Sequence, residues 1–468
     1  MRRQTIAAIL FFEGLASAGL QMLTLRQVTA YIGSSVLVTS IVISTFLAAL
    51  ALGYWAGGRS DGLHYRATLI RNLVISIAIF GIGISYPVVD LFFSVTRDAL
   101  VGIPILSHPL SHLFIFSWLV LAPLVFVLAQ TVPLLLHTST ADENKSKAAG
   151  DLTALSTVGN VAGALVSALV LMVLFGVGTA IVVNCALLFV ALLFIVDLKK
   201  RSDYAPLSLG AVFLGIATVL NVVIERQLFD ATSEYANIKV VNHEDGRALI
   251  VNNQFASYTD DQQAVWPYVQ VMRDALNAQP NLQSVAVLGA GGFTLTSDGT
   301  LASADVTYVD VDADLLNVAE SNFLNADILG RFVADDARGF LLRSAQTFDA
   351  VVVDLFTSSV MLPAHTATVE FFELVESKLA PGGVAILNIA ANPRLDDPYS
   401  ARMDATVRTA FDRCVTDLSG YRGGLENIVY FCRGPAPQIE QWRAQIYRDD
   451  TEGVSIDAFL LAHQQEAQ

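Results

Sequence analysis

The sequence predicts a multi-pass α-helical membrane bundle, followed by a small β-rich segment and a doubly wound α/β domain. Three observations predict it: a division of charge between the two halves, long apolar runs confined to the first half, and strand-length runs alternating with helical patterns in the second. Hydrophobic residues make up 54% of the 468 and charged residues only 15%, outside the usual soluble range. Residues 1–226 hold 13 Lys+Arg and 10 Asp+Glu, whereas residues 227–468 hold 15 and 33, a net charge of −18. An acidic domain repels nucleic-acid phosphates and tolerates cationic partners, so no nucleic acid is expected to bind. Plain solubility is the alternative reading of that charge.

The first domain is expected over residues 1–226. Apolar runs of spanning length, roughly 20 residues, occupy Thr5–Leu25, Val36–Ala56, Leu69–Phe93, Leu113–Leu136, Leu152–Phe175, Gly178–Val196 and Pro206–Ile224. That gives about seven spans in a lipid bilayer. Pro104, Pro109, Pro123 and Pro133 interrupt the stretch from Leu100 to Leu136, where an eighth, broken segment could lie. Arg2 and Arg3 before an apolar run, with Ala16-Ser17-Ala18 after it, mimic a cleavable signal peptide. Glu13 inside the run and the next apolar run close behind it favour retention as a first helix.

Two intramembrane polar residues stand out. Glu13 falls near mid-membrane, where a carboxylate is costly and marks either a functional site or a protonated group bonded to another helix. Asn160 lies between Gly159 and Gly163 and is suited to interhelical hydrogen bonding; that glycine spacing, repeated at Gly53 and Gly57, signals close packing. Lys and Arg orient a bundle by staying cytoplasmic. With seven spans and the N-terminus inside, the inner segments carry Arg2, Arg3, Arg59, Arg66, Arg71, Lys145, Lys147, Lys199, Lys200 and Arg201, and the outer loops only Arg26 and Arg97. An odd count leaves the second half on the outer, periplasmic face.

A β-rich segment is expected over residues 227–280. Tyr235–Asn242, Ala248–Val251 and Gln254–Tyr258 read as antiparallel strands around Asp245-Gly246 and Asn252-Asn253, followed by a helix over Trp266–Asn277. The α/β domain then covers residues 281–468. Its first strand, Ser284–Leu288, runs straight into Gly289-Ala290-Gly291-Gly292, where small residues allow a tight turn and close approach of a ligand to backbone N–H groups. The next strand, Val306–Val309, ends in Asp310, with Asp312 two residues on. Asp310 follows Gly289 at the distance from which an acid accepts hydrogen bonds from ribose hydroxyls. No basic pocket or second phosphate signal appears, which favours an adenosyl-sulfonium ligand over a dinucleotide.

Three further pieces continue the series. A third strand ends at Val333-Ala334-Asp335-Asp336, placing Asp336 near the adenine amino group; a fourth, Phe348–Val353, ends in Asp354 at the carboxyl edge where open α/β sheets bind ligands. Leu379–Val384 reads as a helix end, a turn and a fifth strand. Any one of these acids could be a helix cap; their recurrence after successive strands points to a shared site. The histidines are scattered, so no metal site is expected, and His365 reads as a loop or helix-start residue.

These motifs resemble the spermidine synthases, the polyamine aminopropyltransferases, and most of all their membrane-fused bacterial members. The resemblance rests on Gly33-Ser34-Ser35-Val36, Gly53 to Asp61, Thr131–Leu135 and Gly150 to Gly163 in the bundle. In the second half it rests on Val287 to Gly292, Val309-Asp310-Val311-Asp312, Asp336, Asp349 to Asp354 and Leu379 to Val384. It implies a small β-domain over a Rossmann-like, methyltransferase-type domain. It also implies decarboxylated S-adenosylmethionine or a related adenosyl ligand as donor, with methylthioadenosine as product. By analogy Gly289, Gly291 and Asp312 would belong to the nucleoside site, Asp310 would hold the ribose and Asp336 the adenine. Asp354 would deprotonate the attacking amine.

The departures concern the acceptor. The family's acid in the glycine turn reads Gly291-Gly292-Phe293, and its second acid after the catalytic one reads Leu355-Phe356-Thr357. The tyrosine-rich helix reads Trp266-Pro267-Tyr268, and the expected glutamines near Ala236 and Ala256 are replaced. The acceptor is therefore expected to be a small cationic amine or a larger, more apolar one that Phe293, Phe356 and Trp266 would suit. The alternative is a non-catalytic nucleoside-binding or scaffold domain coupled to a transporter-like or lipid-interacting bundle. Cys414 and Cys432 fall on the last two strands, either paired in an oxidising compartment or as two buried thiols.

Overall fold

A computed structural model describes residues 3–33, 35–60, 64–100, 103, 106, 108–137, 145–299, 301–356, 362–417, 424–435, 446–449, 453–454, 457–458 and 461. Ser34, Asp61, Pro104 and Thr357, invoked above, lie outside the described residues. The chain forms two compact units, one helical and reaching Leu228, the other α/β and running on from Tyr235.

The helical unit contains α1 (Arg3–Ile32), α2 (Val36–Gly58), α3 (Tyr65–Gly83), α4 (Tyr86–Leu100), α5 (Pro109–Leu136), α6 (Ser146–Ile195) and α7 (Arg201–Leu228). By length and composition, six of these are apolar enough to cross a membrane, α4 being the exception. The span expected over Leu69–Phe93 instead ends at Gly83. Pro87 has no N–H to continue the ladder, and Ser85 turns back to donate to the Ile82 carbonyl at 2.6 Å, so α4 begins as a separate helix. The eighth segment anticipated between Leu100 and Leu136 is not a second span among the described residues. There α5 opens on Pro109 and absorbs Pro123 just after a π-helical stretch, Ser117–Leu121.

The helix α6 is two segments. A straight helix of that length would measure about 75 Å, more than twice the roughly 30 Å hydrocarbon core. Its backbone leaves the helical region at Gly176 (φ 77°, ψ 171°), a conformation only glycine adopts readily. Asn184 Nδ2 donates to Ser167 Oγ at 3.2 Å, although 17 residues of straight helix would hold them about 25 Å apart. The chain therefore doubles back at Gly176, the boundary between the two apolar runs in the sequence. The first arm packs closely on α1. A Cβ on Gly14 would meet the Ser156 carbonyl at 2.5 Å, one on Gly159 would meet the Phe11 carbonyl at 2.7 Å, and one on Gly163 would collide with the Leu15 carbonyl. The glycine spacing is thus a helix-crossing device.

Beyond Leu228, β1 (Ala231–Thr232), β2 (Asn237–His243), β3 (Gly246–Val251) and β4 (Gln254–Thr259) make a four-stranded sheet in chain order. After α8 (Pro267–Asn277) come β5 (Ser284–Leu288), β6 (Asp305–Asp310), α9 (Asp314–Val318), β7 (Arg331–Ala334), α10 (Ala337–Arg343) and β8 (Phe348–Val353). The chain continues through α11 (Val369–Ser377), β9 (Leu379–Ala391), α12 (Pro398–Ala410), β10 (Phe411–Asp417) and β11 (Glu426–Pro435). The strands form a seven-stranded sheet in the order β10-β11-β9-β8-β5-β6-β7. The strands from β9 to β7 are parallel, while β11 pairs antiparallel with both β9 and β10. This is the Rossmann-like, mixed-sheet architecture. Leu379 already belongs to β9 instead of ending a helix, because Leu379 pairs with Phe348 and Val384 with Ala350; Pro381-Gly382-Gly383 bulges between them.

Strand order reverses at β5. The chain first moves outward through β6 and β7, then returns to place β8 on the other side of β5. Such a switch point opens a crevice at the carboxyl ends of the strands, here between β5 and β8. Buried aliphatic residues on one face of the sheet, among them Val285, Val287, Ala350, Val352, Val384 and Ile386, form a core beneath it.

Candidate active site

The crevice between β5 and β8 holds the glycine turn on one side and Asp354 on the other. Gly289 leaves β5 at φ 93°, and its N–H donates to the Val309 carbonyl at 2.8 Å. A Cβ there would collide with the Asp354 carbonyl, so the two loops approach as closely as only glycine permits. Ser257, Tyr268, Gly289, Gly291, Tyr308 and Asp354 are among the residues lining this cleft. The small sheet joins it through Ser257, whose Oγ accepts from Gly292 N–H at 2.8 Å.

Asp354 receives Asn388 Nδ2 on its Oδ1 at 2.8 Å and the Tyr268 hydroxyl as a second donor. Burial pushes its carboxyl up to about 6, and both donors oppose that rise. The Tyr268 hydroxyl is held well above its ordinary value, by burial first and then by the neighbouring Asp354 charge. Asp354 is thus a carboxylate whose proton affinity sits close to neutral pH, in contact with a phenol that stays protonated.

Asp310 ends β6 and turns its Oδ2 toward the glycine turn, accepting from Ala290 N–H at 2.9 Å. Its Oδ1 accepts from Asp312 N–H at 3.1 Å. Burial raises its carboxyl and these backbone donors pull it back. Asp312 is 3% exposed, and its Oδ1 accepts from Asp314 N–H at 3.1 Å, so it shapes the start of α9. Asp336 caps α10 by accepting from Gly339 N–H at 2.7 Å, and its other oxygen meets His365 Nε2 at 2.7 Å. Burial works against its ionisation, but the Gly339 N–H and His365 outweigh it and hold the carboxyl below its ordinary value. His365 stands in a short helical turn, Ala364–Thr366. The structure therefore gathers Gly289, Gly291 and Asp354 in one cleft, with Asp310 bonded to its turn; Asp312 and Asp336 serve adjoining helix starts.

Glu13 is 4% exposed within α1, and neither its Oε2 nor Asn160 Oδ1 has a hydrogen-bond partner among the described residues. No group of metal-binding side chains occurs among the described residues. Cys414 and Cys432 lie directly opposite each other on β10 and β11, with Cα atoms 4.2 Å apart, and are joined as a disulfide.

The expectation that Phe293 suits an apolar acceptor is corrected. It is 1% exposed, adopts φ 57°, and packs edge-on against Tyr308 and Phe332 in the core. The absence of an acid in the glycine turn has a steric cause: a Cβ on Gly292 would meet Phe323 and, at 2.8 Å, Ser257. Trp266 packs at a tilt beside Tyr258 and edge-on to Phe255, at 5.5 and 6.5 Å between ring centroids. Three residues of the site were not singled out from the sequence, Ser257, Tyr308 and Asn388. Asn388 carried a signal, being the lone polar side chain in the otherwise apolar run Val384 to Ala391.

Residues 270–431 match the family described as the spermine/spermidine synthase domain. A polyamine aminopropyltransferase 2 of Pseudomonas aeruginosa is 24% identical over 202 residues, covering 41% of this chain and 57% of that protein. A polyamine aminopropyltransferase of Vibrio vulnificus is 26% identical over 211 residues, covering 42% of this chain and 70% of the relative. The chain thus spans little more than half the length of the first of these. Among solved structures, a probable spermidine synthase from Corynebacterium glutamicum aligns with 23% identity and a TM-score of 0.36, over 49% of this chain and 85% of that one. A spermidine synthase in complex with the transition state analogue AdoDATO aligns at 17% identity and a TM-score of 0.36, over 51% and 86%.

Proposed function

We propose that this chain, whose residues 270–431 are a spermine/spermidine synthase domain, is a membrane-bound transferase. It would move an aminopropyl or related group from an adenosyl-sulfonium donor to an amine. The observation that carries the reading is Asp354, a carboxylate held near neutral proton affinity at the switch point of the sheet, across from the glycine turn. An amine is protonated at neutral pH and cannot attack until a base removes a proton. In the proposed step Asp354 takes that proton. The nitrogen lone pair forms a bond to the donor's propyl carbon, the carbon–sulfur bond breaks, and its electron pair stays on sulfur as the neutral thioether of methylthioadenosine. No metal and no covalent enzyme intermediate is needed for that balance.

Asp310, Gly289 and Gly291 would hold the nucleoside, with Asp336 toward the adenine and Asp312 setting the loop after Asp310. Decarboxylated S-adenosylmethionine is the donor this reading favours. The helical unit would lie in the lipid bilayer, with six helices of suitable length and composition in its support. Its unpartnered Glu13 and Asn160 would be the polar sites within it. The α/β domain would face the outer compartment, a reading favoured by the doubled-back α6, the distribution of Lys and Arg, and the Cys414–Cys432 disulfide.

A second reading, a non-catalytic nucleoside-binding scaffold, is favoured by one observation: Gly292 has no room for the acid the family carries in its turn. The test is to incubate the purified full-length protein with decarboxylated S-adenosylmethionine and a panel of mono- and diamines, following methylthioadenosine release. Amine-dependent release, lost in Asp354→Asn, is expected. Binding of methylthioadenosine with no release for any amine would overturn the transferase reading in favour of the scaffold.

A further inference from the structure

Asn388 is out of place by every rule that shaped its strand. It stands in β9, where all residues from Ala385 to Ala391 are buried, and is itself 0% exposed opposite Val429 of β11. A leucine would fill such a position without a polar group to satisfy. Its amide is oriented so that Nδ2 donates to Asp354 Oδ1 at 2.8 Å. That orientation leaves Asn388 Oδ1 buried and without a hydrogen-bond partner among the described residues, a cost a neutral core residue would not carry.

We infer that Asn388 is a positioning residue for Asp354: together with Tyr268 it fixes the carboxylate's orientation at the cleft and favours its ionised form. The inference rests on the proposed role of Asp354 as the base that accepts the amine's proton. The geometry accounts for the arrangement. A carboxylate accepts hydrogen bonds and donates none while ionised, and an amide NH₂ can only donate. An Nδ2–H bound to Oδ1 therefore favours the charged, proton-accepting state. It also disfavours protonation at that oxygen, which directs an incoming proton to the other one. Tyr268 provides a second donor to the same carboxylate. Asn388 approaches from the adjacent strand of the sheet and Tyr268 from the first turn of α8, so two separate elements hold the group. Among the described residues, Tyr268 is the titratable side chain that bears on Asp354.

The experiment compares wild type with Asn388→Leu, which keeps volume and removes the amide, and with Asn388→Gln, which returns an amide on a longer stem. Two readouts are taken on the full-length protein. The first is the pH profile of amine-dependent methylthioadenosine release. The second is an infrared titration of the Asp354 carboxyl, isolated as the difference between each protein and the same protein carrying Asp354→Asn. Asn388→Leu should move both the acid limb of the profile and the infrared midpoint to higher pH, by about one unit, since the lost donor had favoured the charged form. It should lower kcat at neutral pH by roughly ten-fold or more with little change in KM for the donor, and Asn388→Gln should recover part of both. Methylthioadenosine affinity equal to wild type checks that the variant is folded. An infrared midpoint unmoved in folded Asn388→Leu overturns the inference. Loss of release in wild type, with the midpoint still shifting in the variant, sinks the transferase reading and leaves Asn388 as the group that sets the state of Asp354.

Discussion

At the scale of single residues, the site is a set of carboxylates sorted by what each one already bonds. Asp310 keeps both oxygens on backbone N–H groups at the turn, so its removal should loosen the nucleoside and the turn together. Asp310→Ala is expected to weaken methylthioadenosine by about 1.5–3 kcal/mol, the range for hydrogen bonds to a charged group, as read by calorimetry. Unchanged affinity would remove Asp310 from the site. Asp354 behaves differently because its folded value, about 6, lies above its ordinary 3.8. The fold therefore opposes its ionisation: its contribution to stability is full below about 4 and is lost as pH rises through about 6. Asp354→Asn should stabilise the domain above pH 7 by at most about 3 kcal/mol, with the gain vanishing toward pH 4, in denaturant titrations at several pH values. The same variant should lose transfer by roughly 10²–10⁴-fold. The acids were legible because each follows a strand-length run in the sequence. Asn388 was not singled out, because its own run shows only a lone polar residue, and what it bonds is Asp354 beyond the adjacent strand. Phe293 was misread because a glycine turn in sequence does not say which way the next side chain points.

At the scale of elements, the strands were legible where the chain alternates short apolar runs with small or acidic residues, as at Ser284–Leu288 and Phe348–Val353. Boundaries failed where a local break competes with hydropathy. The run from Leu69 to Phe93 is largely apolar, yet Pro87 cuts it. The hairpin of β10 and β11 makes a prediction of its own. Its disulfide closes a loop with a sequence separation of 18, for which chain-entropy arguments give about 3 kcal/mol. Replacing Cys414 and Cys432 by Ser should lower the domain's unfolding free energy by that order and lower its Tm. A variant as stable as wild type would mean that the two thiols are not joined in the folded protein. Gly176 is the corresponding pivot in the bundle. A side chain there must adopt φ 77° and would stand 3.0 Å from Thr232 Oγ1, so Gly176→Leu should prevent α6 from doubling back.

At the scale of the whole molecule, that single turn fixes which side of a membrane the α/β domain would occupy. Counted as one helix, α6 would leave six crossings and put both ends of the chain on the same side. Doubled back at Gly176, it would add a crossing and would put the −18 half of the chain on the side opposite the N-terminus. On the reading proposed above, lysine and arginine distribution would place the N-terminal side in the cytoplasm, because Arg59, Lys147, Lys199, Lys200 and Arg201 would then share it with Arg3. The disulfide between Cys414 and Cys432 agrees, since such bonds persist in oxidising compartments. The chemistry pulls the other way, because an adenosyl-sulfonium donor made in the cytosol would have to reach the outer face. Alkaline-phosphatase fusions separate these outcomes. A fusion after Val196, in the segment before α7, should be inactive and one after Pro435 active, and the latter should lose activity in Gly176→Leu if the doubled-back turn sets the parity. Activity after Val196 with none after Pro435 would reverse the assignment, place the domain with the cytosolic donor, and leave the disulfide without a compartment that sustains it.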